Sequence, residues 1–207
     1  MLNIFARASV SRVTDPIGAW LVRLGMTPNA MTLIGTAGAV IGALWLFPNG
    51  WLLTGTFVVW GFVMLDLLDG AMARARGGSS TFGAVLDSTC DRFADGALFA
   101  GVAWWSFRVD DNPPLAAATL VCLVSALITS YVKARAEASG LDGDGGMIER
   151  AERLIITLVG TGLEAFGVPF AVDVAIWGLA VLSVATVVQR ILAVRRSAIE
   201  QESEAGE

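Results

Sequence analysis

The chain has 207 residues, 55% of them hydrophobic and 16% charged, with a mean hydropathy of +0.67. A soluble domain of this size carries about 25% charged residues. Here the apolar surplus is gathered into long runs, which excludes a soluble globule and indicates an integral membrane protein.

The chain has no histidine, so any metal site must use oxygen ligands, favouring Mg2+, Mn2+ or Ca2+ over zinc or copper. Cys90 and Cys122 both fall in apolar segments and read as small buried hydrophobes, not a disulfide framework. The net charge of −5 is a local effect, because Glu200, Glu202, Glu204 and Glu207 crowd the last eight residues. Residues 198–207 are therefore expected to be an acidic, disordered tail. No nucleic-acid partner is expected.

From the N-terminus, residues 1–27 interleave Arg7, Arg12, Asp15 and Arg23 with apolar residues, unlike a cleaved signal peptide. Pro16 to Leu24, with Trp20, Leu21 and Leu24 against Arg23, predicts a short interfacial helix. Six apolar segments follow, at about 29–47, 51–75, 84–107, 115–136, 151–168 and 171–194, separated by Gly-, Pro- and Asn-rich breakers. The predicted fold is an all-α integral membrane protein with six transmembrane helices in one domain. In the first segment, Gly38-x3-Gly42 reads as a helix-packing notch.

Of the 14 basic residues, only Arg108 falls on the opposite side of this arrangement from the rest. The positive-inside rule then puts both termini and the 136–150 loop in the cytoplasm. Trp45, Trp51, Trp104 and Trp105 gather at the outer face, as an aromatic belt does.

Four aspartates lie where water is scarce. Asp66 and Asp69 end the second segment at i, i+3, and Asp87 and Asp91 open the third at i, i+4, so each pair shares a helix face. Asp66 follows about 15 apolar residues, a descent of roughly 22 Å, and Asp91 lies roughly 24 Å from the outer end of its helix. Both pairs therefore reach the same level. Carboxylates at such depth cost roughly 2.5–3.5 kcal/mol each, which one or two divalent ions about 3.5–4 Å apart would offset. Gly70, Ala73 and Gly83 leave room for another helix or a ligand to approach the backbone, and Arg74 is placed to hold a phosphate. Asp95 extends the third-segment face by one turn, as a support behind the ligands, the partner of a basic group or a ligand itself, and Arg92 could pair with a neighbouring acid.

The pattern Asp66-x2-Asp69-Gly70-x2-Ala73-Arg74, eight residues, then Gly83-x3-Asp87-x3-Asp91 resembles the signature of the CDP-alcohol phosphotransferase family at all its fixed positions. The resemblance implies transfer of a phosphatidyl group from a CDP-linked lipid such as CDP-diacylglycerol to an alcohol, with release of CMP. It implies two Mg2+ or Mn2+ ions held by Asp66, Asp69 and Asp87, with Asp91 both a ligand and the base that takes the acceptor's proton. Asn29, Ala30, Met31 and Thr32 would contact the nucleotide at the entry to the first segment; Asp69, Gly70, Ala73, Arg74, Ser80 and Gly83 would complete that site. It further implies a homodimer in the cell membrane with a cytoplasmic active site.

Lys133, Arg153 and Arg190 lie at cytoplasmic positions on the fourth, fifth and sixth segments, which suggests an acceptor carrying its own phosphate. Residues 130–137 and 143–154 resemble an actinobacterial branch of the family that takes an inositol phosphate. Ala151 departs from it, standing where proline would start the fifth helix. Glycerol 3-phosphate is the alternative acceptor. A divalent-cation transporter is the rival of another class, although the outer halves of the second and third segments offer it almost no acids.

Overall fold

A computed structural model describes the backbone of residues 2–205 and the side chains of residues 11–203. The structure is all-helical among the described residues: α1 (Leu2–Arg23), α2 (Pro28–Leu46), α3 (Leu52–Met64), α4 (Asp66–Ala75), α5 (Thr81–Arg108), α6 (Pro113–Ala138), α7 (Arg150–Ala165) and α8 (Ala171–Ala205). Among the described residues, four stretches are long and apolar enough to cross a membrane: Pro28–Leu46, Leu52–Ala75, Pro113–Ala138 and Ala171–Ser203. The apolar run of the continuous helix α5 is broken by Asp87, Asp91, Arg92 and Asp95, and α7 has only 16 residues.

Two compact units divide the chain. The first comprises Met1–Trp45 and Phe57–Leu98. Within it, α1 packs on α4 through Gly18, where an added Cβ would stand 2.9 Å from Ala71 C and Met72 N. The notch expected at Gly38 and Gly42 receives Phe62 and Val58 of α3.

α1 is much longer than the short helix expected to begin at Pro16, which lies inside it. An interior proline forfeits a backbone hydrogen bond, and docking on α4 compensates. Its outward stripe is Val13, Ile17, Trp20 and Leu24, all exposed, at the spacing of one helix face.

The second unit comprises Leu46–Thr56 and Phe99–Glu207, and in it α6 and α7 both pack on α8. Asn112 caps α6 by accepting from Leu115 N (3.1 Å), while its Nδ2 donates to Asp173 Oδ1 of α8 (3.0 Å). α7 shows a partial inversion: Arg153, Thr157 and Thr161 are buried along with Leu154 and Leu158, whereas Ile155, Val159 and Leu163 are exposed. That inversion suits a lipid solvent, in which buried polar groups hold helices together. Thr161 Oγ1 lies 2.7 Å from Thr56 Oγ1 of α3. The start of α7 needs no proline, since the Glu149 N–H donates to the Glu152 carboxylate at 3.0 Å, half of a capping box.

Residues 198–205, expected to be disordered, continue α8 as helix; 206 and 207 lie outside the described residues. Ala, Glu, Gln and Arg are good helix formers, and this end is tied to the 139–149 loop. Asp142 N donates to Ser197 Oγ (3.0 Å), and Gln201 Nε2 donates to Gly140 O (2.6 Å).

Candidate functional site

The site begins where the second apolar segment breaks. Met64 ends α3 and Asp66 begins α4, with Leu65 N donating to Phe62 O at 3.1 Å, a tightened i→i+3 turn. Asp66 and Asp69 then occupy the first turn of α4, where the helix dipole favours negative charge. On α5, Ser80 Oγ accepts from Gly83 N at 3.0 Å, an N-cap that places Asp87 two turns into the helix.

Carboxylate oxygens of Asp66, Asp69 and Asp87 lie within 4.8 Å of one another. Oxygens on opposite sides of an octahedral Mg2+ stand about 4.2 Å apart for bonds of about 2.1 Å, so the spacing fits a shared ion with small adjustment. The donor set is all oxygen, as Mg2+ and Mn2+ prefer. Asp69 is the most buried of the three, and Thr32 Oγ1 lies 2.5 Å from its Oδ2 and 3.1 Å from Pro28 O. With one proton, that hydroxyl serves one acceptor at a time.

Beside these acids a cavity of about 660 Å³ opens, lined by residues that include Asn29, Thr32, Asp69, Gly70, Ala73, Arg74, Ser80, Gly83 and Asp87. Proline at the first position of α2, after Thr27, presents that helix's N-terminus to the space. Arg74 lies on the cavity wall with its Nη1 3.6 Å from where a side chain on Gly70 would begin.

Ala30 and Met31 do not line the cavity, and Met31 is buried. Successive residues on a helix point about 100° apart, so the run 29–32 cannot all face one space. Asp91 stands outside the three-carboxylate group, with its Oδ2 3.6 Å from Arg92 Nη2. Asp95, 1% exposed, also faces Arg92, at 3.8 Å. Sequence reasoning passed over Thr27, Arg76 and Ser88, which also line the cavity; adjacency to Pro28, Arg74 and Asp87 was the available signal.

In the second unit, one loop engages all three candidate acceptor residues. Lys133 Nζ donates to Asp144 Oδ1. Arg190 donates from Nε to Gly145 O (3.0 Å) and from Nη1 to Thr129 O (2.9 Å), and Arg153 Nη1 lies 3.5 Å from Ile148 O. The hydrogen bond and charge of Lys133 hold the Asp144 carboxyl below its usual range. Arg153 and Arg190 are buried, and Arg190 spends only two of its five donors on these neutral carbonyls.

Residues 25–188 match the family model for CDP-alcohol phosphatidyltransferase. The chain belongs to this family. This CDP-alcohol phosphatidyltransferase is 54% identical over 202 residues to the phosphatidylinositol phosphate synthase of Mycolicibacterium smegmatis, covering 95% of this chain and 91% of that one. It is 56% identical over 194 residues to the Mycobacterium tuberculosis enzyme of the same name, covering 92% and 89%. Among solved structures, M. tuberculosis phosphatidylinositol phosphate synthase with CDP-DAG bound matches with a TM-score of 0.84 at 57% identity, over 88% of this chain and 94% of that one. The complex of that enzyme with manganese and citrate gives a TM-score of 0.85 at 55% identity, over 89% and 90%.

Proposed function

We propose that the protein transfers the phosphatidyl group of CDP-diacylglycerol to a hydroxyl of 1D-myo-inositol 3-phosphate, giving phosphatidylinositol phosphate and CMP. The observation that carries this reading is the convergence of Asp66, Asp69 and Asp87 beside a cavity walled by Arg74. It occurs in a chain 54% identical over 95% of its length to a phosphatidylinositol phosphate synthase. Family membership makes the cation-transporter alternative unnecessary.

In this reaction the bond between the CMP oxygen and the lipid's phosphorus breaks, and a new ester forms from the acceptor oxygen to that phosphorus. Asp66, Asp69 and Asp87 would hold two divalent ions, with Asp91 reaching one of them. Bound Mg2+ or Mn2+ supplies charge neutralisation on the pyrophosphate oxygens and eases departure of CMP. Asn29, Thr32, Gly70, Ala73, Ser80 and Gly83 shape the nucleotide's seat, and Arg74 holds a phosphate oxygen through its planar fork. Asp91 accepts the proton of the attacking hydroxyl, the role left to a carboxylate in a chain without histidine.

Lys133, Arg153 and Arg190 bind the acceptor's own phosphate. Two of these cations are buried at helix positions where an anion would repay their desolvation. The membrane arrangement that goes with this reading has α5 and α7 joining the four apolar spans as a six-helix domain. Both termini are then cytoplasmic, α1 lies in the interface, and two copies form a homodimer.

CMP release by purified protein decides the reading. With CDP-diacylglycerol and Mg2+, release is expected with inositol phosphate and not with glycerol 3-phosphate or free inositol, and chelation should stop it. Release with glycerol 3-phosphate alone would keep the aspartate chemistry and discard the acceptor assignment.

A further inference from the structure

Arg74, which closes the first half of the aspartate pattern, is held from outside that pattern. Its Nη2 donates to Asp15 Oδ1 at 2.7 Å, and its Nε lies 3.3 Å from the same oxygen. Asp15 belongs to α1, 59 residues earlier in the chain. The contact follows from how α1 docks. Gly18 sits against Ala71 and Met72, and Asp15, one turn back on α1, meets Arg74, one turn on along α4. The two helices therefore run antiparallel, with the small residue permitting contact and the acid placed at the cavity's edge.

Both partners are half-exposed, with side-chain accessibilities of 57% for Arg74 and 50% for Asp15. A surface ion pair of this kind adds little to stability, so its consequence lies in geometry. An arginine carries five donors in a rigid plane. Fixing Nε and Nη2 on one carboxylate oxygen fixes that plane and leaves Nη1 beside Gly70, where both residues line the cavity. A long, exposed arginine would otherwise sample many rotamers, and ordering it at the moment of binding costs affinity.

We propose that Asp15 is a positioning residue for the nucleotide-lipid substrate. It holds the Arg74 guanidinium edge-on so that Nη1 is presented to the diphosphate, and it makes docking of the N-terminal helix a condition for tight CDP-lipid binding. The proposal deepens the functional reading above and rests on it for the identity of the ligand.

The test is Asp15→Ala, since alanine favours helix and leaves α1 intact. The expected result is a rise of about tenfold in KM for CDP-diacylglycerol, the scale of a weakened charge-assisted hydrogen bond. kcat, the acceptor KM and the unfolding temperature should stay close to the unmodified enzyme's. Asp15→Glu should recover most of the loss, and Asp15→Ala should add nothing in an Arg74→Ala background. Calorimetric binding of CMP in Mg2+ should weaken in the same variants, independently of turnover. An unchanged or lowered KM, or an effect that persists in the Arg74→Ala background, overturns the proposal. An unmodified enzyme that binds CMP but never releases it from CDP-diacylglycerol defeats the functional reading instead, and the binding comparison then still decides Asp15.

Discussion

Asp91 lies one helical turn beyond Asp87 on α5, with its carboxylate facing Arg92 at 3.6 Å and outside the group formed by Asp66, Asp69 and Asp87. Under the proposed mechanism that separation would divide the labour of the four acids. A carboxylate fully committed to metal is a poor proton acceptor, whereas one at the margin of the cluster can touch the ion and still receive a proton. Asp91→Asn keeps the size and removes the basicity. CMP release should then fall by roughly 10²- to 10⁴-fold, the scale of general-base catalysis, while Mn2+ and CDP-diacylglycerol still bind. Retained turnover in Asp91→Asn would remove it as the base. Sequence spacing was a good guide to these acids because i, i+3 and i, i+4 pairs share a face whatever the tertiary setting. It did not tell which residues of the run 29–32 face the cavity, whose lining includes Asn29 and Thr32 but not Ala30 or Met31, and it gave no sign of Asp15, which meets Arg74 only through helix docking.

At the scale of elements, the 139–149 loop is what draws α6, α7 and α8 to common purpose. Gly146 has φ +116, and an added Cβ there would meet Thr186 Cγ2 at 2.5 Å, so the loop lies flat against α8 beside Arg190. Two of the three cations, Arg190 and Lys133, should then respond differently to removal. Arg190→Ala removes its bonds to Gly145 O and Thr129 O and leaves the loop carbonyl of Gly145 without this partner, a cost of about 1–3 kcal/mol, so both the acceptor KM and the unfolding temperature should suffer. Lys133→Ala removes a screened surface pair worth about 0–1 kcal/mol and should raise the acceptor KM alone. Equal effects on the CDP-lipid KM in both variants would argue against an acceptor-phosphate role.

The loop's tether has a pH dependence of definite sign. The Asp144 pKa is lowered by Lys133, so the contribution of the pair is complete above the ordinary carboxylate value of about 3.9. It is lost as pH falls through the lower folded value. Hydrogen-exchange protection across 142–148, corrected for intrinsic rates, should hold from pH 7 to 5 and decline only in stronger acid. Asp144→Asn should lack that decline, and loss of protection already at pH 6 would sink the assignment. Helix positions were legible in the sequence because apolar runs and Gly–Pro breakers set them. The break at Leu65, the start of α1 and the reach of α8 to Ala205 were not, because each depends on packing or loop contacts that composition does not carry.

For the whole molecule, the inverted surface is the governing fact. Exposed Ile155, Val159 and Leu163 back onto buried Arg153, Thr157 and Thr161, with Leu154 and Leu158 among them, on one helix, an arrangement that suits a lipid solvent. The proposed orientation, with both termini cytoplasmic, rests on the bias of basic residues, and α6 provides its cleanest test. Asp110 precedes it and Ser139 follows it, both exposed, while the native Cys90 and Cys122 are buried and should stay silent. A membrane-impermeant maleimide applied to intact cells should label Asp110→Cys at once and Ser139→Cys only after permeabilisation. Labelling of Ser139→Cys from outside would reverse the orientation. It would strand the 139–149 loop away from cytoplasmic inositol phosphate, a soluble, multiply charged acceptor that cannot cross the bilayer unaided. Labelling of both from one side would mean that α6 does not cross, and the six-helix arrangement would fall with it.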